Sequence, residues 1–231
     1  MSTRGHHGML LLSAAPSSAP VVLSNTHTGF STISASHPVQ MPAVVSAGDL
    51  LIVLITTRYS PGGSTTMEPT AAGFTLIGKM LTGASTTQFH IFRKTATGTE
   101  GGTTVDFATP LGMDSVDAQV VQIQAGTWSG TPVATFAADS GSGFNPDPPS
   151  RSTVWSGLNV LFFACFGSNG AAAPTVWSLP DNQVTTTSGG TTNCRVISCS
   201  TVSTAGTLDP GAFTMAATTR WAAATLAIRP A

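Results

Sequence analysis

Short runs of apolar and β-branched residues recur along the whole chain, separated by clusters of Gly, Pro, Asn and Ser. Helical periodicity is almost absent, and runs of this length between turn-forming residues are typical of β-strands. The pattern predicts an all-β chain with strands at residues 21–25, 49–57, 74–80, 87–95, 103–108, 116–124, 132–136, 158–167, 175–179, 194–202, 212–216 and 221–229.

The distribution of apolar residues within these runs indicates how the strands are buried. The even-numbered residues of 222–228 fall on one face, because alternate residues of a strand point the same way. The runs at 50–55 and 158–166 are largely apolar on both faces. In a two-layer sandwich the outer face of such strands needs a cover, for which loops, an N-terminal arm and a neighbouring subunit are the alternatives.

A weak internal repeat relates the two halves of the chain. The sequence GDLLIVLI, which starts at Gly48, resembles GLNVLFFA, which starts at Gly157. Phe107 and Phe213 follow at nearly the same separation, with the order of the predicted strands kept. Small shifts at loops with conserved strand order are what a diverged duplication would leave.

The repeat predicts the domain organisation. Its half-repeats are residues 48–126 and 157–230, joined by a connection at about 138–156 whose Gly and Pro content disfavours regular structure. Equivalent halves would each contribute a sheet of about five strands, and the two sheets would pack face to face. We therefore predict a jelly-roll-like β-sandwich of about ten to twelve strands at residues 21–231, preceded by an extended N-terminal arm at residues 1–20.

The predicted arm has a short apolar run at residues 9–12, with small residues before Pro20. An export signal needs about 7 to 15 apolar residues, so the arm is interpreted as an extended segment. A terminal arm normally frays unless contacts hold it, and we expect those contacts to come from a larger assembly. The predicted assembly contacts are Arg4, His6, His7, Met9, Leu10, Leu11 and Leu12.

Composition narrows the classes of partner. The hydrophobic content of 41% is ample for a core, but only 8% of residues are charged, against about 25% in a typical soluble domain. The net charge of −1 shows no excess of basic residues of the kind that binds nucleic acid. No run reaches the roughly 18 to 20 apolar residues of a membrane-spanning helix, so neither nucleic acid nor a membrane is expected as a partner.

The cysteines and histidines show no spacing typical of a metal site. Cys194 and Cys199 are an odd number of residues apart, so on one strand they would point to opposite faces and could not form a disulfide. Together with Cys165 they are predicted to be buried, reduced thiols of a protein made in a reducing cytosol. The histidines, including His90 on a predicted strand, are expected to be partly exposed.

Motifs for catalysis or ion binding are weak. The sequence GTWSG at 126–130 lacks the spacing of a hydrolase nucleophile elbow, and the glycines at 98–102 fit a hairpin turn better than a phosphate loop. Calcium binding by Asp139, Asn145 and Asp147 stays open, although a solvated crossing loop that uses Asp and Asn as turn residues is the favoured interpretation. We predict no enzyme activity, no cofactor and no catalytic or metal-binding residues.

Three short motifs carry a resemblance to a known class of proteins. These are Gly-Asp-Leu-Leu at 48–51, Gly-Phe-Thr at 73–75 and Arg-Lys-x-Ala-x-Gly at 93–98, in a chain poor in lysine and rich in Thr, Ser, Ala and Gly. With these features the chain resembles structural proteins of tailed-bacteriophage virions, namely head-decoration (cement) proteins and minor tail proteins. The resemblance implies a jelly-roll or immunoglobulin-like sandwich, often trimeric, with no catalytic residues.

The expected function follows from this resemblance and from the low charge. We expect a non-enzymatic virion protein, synthesised in the host cytoplasm, that decorates or cements the capsid exterior through subunit contacts. Its expected partners are copies of itself, as a homo-oligomer and specifically a trimer, and the major capsid protein or other virion proteins.

Two alternatives to capsid decoration make different structural predictions. A minor tail or tail-tip module that binds host surface glycan would show exposed aromatic residues beside polar loops. A glycan-cleaving enzyme would need a cleft with two carboxylates about 5 to 9.5 Å apart. Among the tryptophans, Trp221 is predicted to lie in the core and Trp128 at the rim.

Overall fold

The computed structural model describes residues 17–58, 68–82, 87–138, 145–170, 172–188, 194–217 and 220–231. All regular secondary structure in these ranges is β-strand, which confirms the predicted all-β class. Correspondingly, no helix with the length and apolarity to cross a membrane occurs among these residues. The strands are β1 (Val22–Phe30), β2 (Ser34–Gln40), β3 (Leu50–Arg58), β4 (Thr75–Leu81), β5 (Thr87–Thr95), β6 (Thr104–Met113), β7 (Ser115–Ile123), β8 (Trp128–Ala138), β9 (Arg151–Ser152), β10 (Val160–Ser168), β11 (Pro174–Val176), β12 (Asp181–Thr185), β13 (Arg195–Ser203), β14 (Thr207–Leu208), β15 (Thr214–Met215) and β16 (Trp221–Pro230).

Two five-stranded antiparallel sheets form the body of the protein. The first sheet has the order β1-β7-β3-β5-β4, and the second has the order β8-β16-β10-β13-β12. When the five strands of each sheet are numbered by their order in the chain, their spatial order across the sheet is 1-5-2-4-3 in both sheets. Gly48 and Gly157, which the repeat aligns, precede equivalent strands and both have positive φ angles, of 88° and 82°. The second sheet therefore repeats the topology of the first.

The chain passes from one sheet to the other earlier than the sequence predicted. Strand β8 pairs with β16, so it belongs to the second sheet, and the passage is the turn at 124–127. In this turn Thr127 N donates a hydrogen bond to Gln124 O (3.3 Å), and Gly126 has φ 76°. The predicted connection at 138–156 is wrong as the link between halves, because Gly and Pro mark irregular backbone without showing which sheet the flanking strands join.

The core between the two sheets is formed by the side chains that alternate inward on both. The even-numbered residues of 222–228 all lie in it, as predicted, and pack with Leu54, Phe89 and Phe163. Residue Gly167 lies in this interface so close to the first sheet that a Cβ atom there would be 2.8 Å from Phe89 Cδ2. The two sheets are thus in direct van der Waals contact.

The outer face of each sheet is covered by a further layer of the same chain. On the first sheet the ribbon β2–β6 packs Val39 and Phe107 against the outward residues of β3, β5 and β7. On the second sheet Phe213 and Met215 cover β10 and β13, beside the short ribbons β11–β15 and β9–β14. The predicted β-sandwich is therefore confirmed, and of the alternatives for its cover the structure shows further segments of the same chain on both outer faces, so the apolar outer faces of β3 and β10 need no neighbouring subunit.

Every predicted strand overlaps an observed one, but four observed strands were not predicted. These are β2, β9, β12 and β14. They are short or polar: β12, for example, has the sequence DNQVT and includes Asn182 at φ 46°. Strands at an edge or in a cover layer bury few side chains, so their sequences lack the apolar run on which the prediction depended.

Candidate functional site

A cluster of polar and titratable groups lies between the two sheets, around Asp117 on β7. This carboxylate is fully buried. Its Oδ2 accepts hydrogen bonds from Val196 N (2.7 Å) and from the Thr186 hydroxyl, and its Oδ1 is 2.6 Å from His27 Nε2. The His27 side chain is 39% exposed. We call Asp117 and these three partners the Asp117 cluster.

The Asp117 cluster has the base and the orienting carboxylate of a catalytic triad but not the nucleophile. In a triad the imidazole is hydrogen-bonded to a carboxylate on one side and to a nucleophilic hydroxyl or thiol on the other. Within the described ranges no hydroxyl or thiol is hydrogen-bonded to His27. The contacts of Asp117 instead join β1 and β7 of the first sheet to β13 of the second, which is a structural role.

Further hydrogen bonds between polar side chains continue from the Asp117 cluster along the interface between the two sheets. We call the Asp117 cluster and these pairs the polar seam. Ser198 Oγ donates to Gln119 Oε1 (3.0 Å), and Gln119 Nε2 donates to Asn25 Oδ1 (3.0 Å). Ser115 Oγ lies 2.6 Å from Ser188 Oγ. Polar groups in an interface between sheets cost free energy unless they are paired, and these pairings also fix the relative position of the sheets.

A second buried carboxylate explains the Gly-Asp-Leu-Leu motif. Asp49 Oδ2 accepts hydrogen bonds from Ser46 N (2.8 Å) and Gln122 Nε2 (2.7 Å), and its Oδ1 accepts one from Ala125 N (2.8 Å). The side chain therefore ties the start of β3 to the turn between the two sheets. The motif has a structural function in this chain.

Glu100 stabilises the turn between β5 and β6 in the same way. Its carboxylate accepts hydrogen bonds from the backbone N–H groups of Thr97 (3.1 Å) and Gly98 (3.0 Å) and lies 2.9 Å from Lys94 Nζ. Burial alone would raise the pKa of Glu100, but these bonds outweigh it and lower the pKa to about 2. The 98–102 segment is the predicted turn.

His37 and His90 are buried, which corrects the expectation that the histidines are partly exposed. His90 Nε2 lies 3.0 Å from Gln88 Oε1, and its ring stacks on Phe92 with centroids 6.1 Å apart. Burial disfavours the charged imidazolium and lowers the pKa of His90 to about 3. The ring is therefore neutral in the folded protein at neutral pH.

This buried histidine predicts a specific sensitivity to acid. The unfolded chain binds a proton at His90 below a pKa of about 6.5 while the folded protein does not, so stability falls as pH drops from 6.5 towards 3. We expect H90Q to remove up to about 1.4 kcal/mol of this loss per pH unit between pH 6 and 5. Urea unfolding at a series of pH values measures the difference. Above pH 7 the two curves should run parallel, and an unchanged slope in H90Q at lower pH would contradict the burial of a neutral ring.

The three cysteines are free and buried, as predicted. Cys194 Sγ faces Ser115 O (3.6 Å) in the interface, whereas Cys199 Sγ faces Ala164 O (3.7 Å) on the outer side of β13, so the two thiols point to opposite faces. Burial raises the pKa of Cys199 to about 12 and raises that of the other two thiols as well. None of them is an activated nucleophile.

The predicted arm contacts lie outside the described residues, and so does Asp139 of the calcium alternative. The described part of that loop contains Asn145 and Asp147, and no group of three or more potential metal ligands among His, Cys, Asp and Glu occurs in the described ranges. Trp221 is buried, as predicted. Trp128 is half-buried at the rim and donates a hydrogen bond from Nε1 to Gly48 O (3.2 Å).

An uncharged apolar surface lies along the free edge of the first sheet. Leu23 on β1 and Val44, which is 77% exposed, line the same open cavity of about 350 Å³, together with Ala43 and Gln122. We call Leu23, Ala43 and Val44 the edge patch. None of the residues that line this cavity is charged.

A second concave surface lies on the other sheet and includes an aromatic ring. A groove of about 260 Å³ is lined by Val133, Arg151, Trp155 and Val154, whose side chain is 95% exposed. Arg151 Nη1 donates to Thr135 Oγ1 (3.1 Å), which holds the guanidinium beside the groove. A half-buried indole next to an arginine is a surface on which a sugar ring could stack.

Comparison with known proteins does not assign the chain to a family. No protein-family model matches it, and no curated protein or solved structure matches it either.

Proposed function

We propose that this protein is a non-enzymatic structural protein of a tailed-phage virion. In this proposal it decorates or cements the capsid exterior through subunit contacts, as a closed homo-oligomer, a trimer at the three-fold positions of the lattice. The observation that carries the proposal is the edge patch, an exposed apolar surface with no charged residue around its cavity.

The distribution of charge supports an assembled state. The chain of 231 residues has nine basic and ten acidic residues, and of these Asp49, Glu100, Asp117 and Arg195 are buried. Soluble monomers of this size usually keep about 25–35% of their surface residues charged. Surfaces that become the core of an interface are depleted in charge, as this surface is.

The buried carboxylates also support a structural role. Asp49, Asp117 and Glu100 each accept hydrogen bonds from backbone N–H groups of this chain. Carboxylates held this way have few free lone pairs for a substrate. These three buried carboxylates thus join segments of the fold.

The edge patch provides a direct test of self-association. We expect V44D to weaken association of the full chain about tenfold or more, because a charge at the centre of an apolar contact must be desolvated. Sedimentation velocity over a series of protein concentrations measures this. V176D is the matched control, since Val176 is also exposed but lies on β11, in the ribbon beside the second sheet, and it should associate like the wild type. A wild-type protein that stays monomeric at high concentration would refute the proposed homo-oligomer.

The position in the virion is tested separately. Purified particles that contain this chain would be treated with mild denaturant and imaged after each step, with the released chains identified by mass spectrometry. Release from heads, with loss of external density at three-fold positions, is expected. Release from tails would refute capsid decoration, and absence of the chain from particles would refute the virion role.

The groove beside Trp155 favours a second candidate function, a minor tail or tail-tip module that binds host surface glycan. Aromatic rings beside polar groups are typical of sugar-binding surfaces, and Arg151 and Ser152 lie next to this ring. A glycan array with the intact chain distinguishes the two functions. Specific binders would favour the tail module, and an array without binders would count against it.

A further inference from the structure

Arg195, the first residue of β13, is buried without a counterion. The residue is 8% exposed, and its Nε atom is fully buried with no hydrogen-bond partner. Within the described ranges no carboxylate forms an ion pair with its guanidinium and no side chain or carbonyl accepts a hydrogen bond from it. A buried charge in this state is costly, and proteins normally pair it.

The nearest acidic group is already engaged. Asp117 attracts the charge of Arg195 through space, but its oxygens are occupied by His27, Thr186 and the backbone N–H of Val196. Val196 follows Arg195 directly, so the two side chains point to opposite faces of β13. Asp117, on β7 of the first sheet, faces the inner side of the second sheet, whereas the Arg195 guanidinium lies on the outer side of the second sheet.

The two residues beside Arg195 complete a row across the second sheet. Ser168 on β10 is directly opposite Arg195, and Trp221 on β16 is directly opposite Ser168. Directly opposite residues project from the same face of a sheet. This is the outer face of the second sheet, because the next row contains Phe166 and Ile197, which pack with the covering residues Phe213 and Met215.

Ser168 shares this property with Arg195. Its hydroxyl is fully buried, and its Oγ has no hydrogen-bond partner among the described residues. Native proteins satisfy the great majority of buried polar atoms, so two unsatisfied donors on adjacent strands point to a partner that the described part of the chain does not supply. Two N–H groups of an arginine and one hydroxyl are suitable hydrogen-bond donors for the oxygens of an anion.

We propose that Arg195 and Ser168 bind the carboxylate or sulfate group of a small acidic ligand on the outer face of the second sheet. The guanidinium donates two parallel hydrogen bonds to two oxygens of the group, and the Ser168 hydroxyl donates a third. The Trp221 ring lies at the end of the row, where it borders the ligand. This site is separate from the edge patch and does not depend on the virion role.

Thermal unfolding of the full chain in different salts tests the site. Wild type, R195M, S168A and R229M would be compared in sodium chloride, sodium sulfate and sodium glucuronate at equal ionic strength. R229M is the matched control, because Arg229 is an exposed arginine on β16 of the same sheet. A ligand that binds the folded state raises the melting temperature in a saturable way.

We expect sulfate, glucuronate or both to raise the melting temperature of wild type and R229M by about 2–4 °C over chloride. R195M should show no such rise and S168A a smaller one. A response to glucuronate alone identifies the group as carboxylate, and a response to sulfate alone identifies it as sulfate. In chloride, R195M should be at least as stable as wild type, because the unpaired buried charge is gone.

Two results would overturn the proposal. One is an equal response to the three salts in wild type and R195M, which would mean that Arg195 binds no anion. The other is a large loss of stability of R195M in chloride, which would mean that Arg195 is already compensated within the fold and has a purely structural role.

Discussion

Replacing Asp117 by alanine is expected to lower the free energy of unfolding by about 3 kcal/mol. The substitution leaves the buried N–H of Val196 without its short bond to a carboxylate (2.7 Å) and removes the partner of His27. Thr186 moderates the loss, because its single hydroxyl proton, no longer needed by Asp117, can be donated to Val196 O (2.8 Å) while the oxygen accepts from Val196 N (3.1 Å). Urea unfolding at pH 7 measures the change.

Two variants separate this effect from a general loss of negative charge. D181A removes an exposed carboxylate at the edge of the second sheet and should change stability by less than about 0.5 kcal/mol. D117N keeps the shape and can place its carbonyl oxygen towards Val196 N and Thr186 and its amide towards a neutral His27 Nε2, so it should be destabilised less than D117A. Wild-type stability in both Asp117 variants would show that the polar seam does not hold the sheets together.

Replacing Gly167 by alanine is expected to destabilise the protein by about 3 kcal/mol, at the upper end of what overpacking usually costs. The added methyl group would overlap Thr56 Oγ1 and lie 2.8–2.9 Å from two carbon atoms of Phe89. These atoms belong to the central strands of the first sheet, so relief requires the two sheets to move apart. Thermal and urea unfolding measure the loss.

The clash at Gly167 can be checked by its coupling to Thr56. A T56A substitution in the G167A background should recover part of the lost stability, which a double-mutant cycle detects as an interaction energy. G211A is the control, because nothing lies within 4 Å of a Cβ built at Gly211. If G167A proved as stable as G211A, the close contact between the sheets would be refuted.

The polar groups of this protein show which features a sequence can reveal. Asp49 could be noticed because it belongs to a short motif, although its hydrogen bonds to Ser46 and Ala125 could not be inferred from it. Asp117 stands in an apolar run with no motif around it, and its partners come from segments far away in the chain. His90 was expected to be partly exposed, because the cover over its face of the sheet was not predicted.

The candidate anion site had no sequence signal at all. Arg195 and Ser168 are separated by a long stretch of chain and meet because β10 and β13 pair in one register. Whether a buried arginine has a counterion depends on every segment that packs around it. The edge patch has the same origin, since Leu23 and Val44 come from different segments and line one cavity.

The sequence by itself determined the strands of the two large sheets, except the edge strand β12, and the repeat that relates the sheets. It also determined that β3 and β10 are buried on both faces. These are local properties, because side chains of a strand alternate with a period of two whatever the strand pairs with. The tertiary structure decided that β8 belongs to the second sheet, that ribbons of the same chain cover both outer faces, and that Asp117 is paired while Arg195 is not. Such features depend on which distant segments meet, and neither periodicity nor composition contains that information.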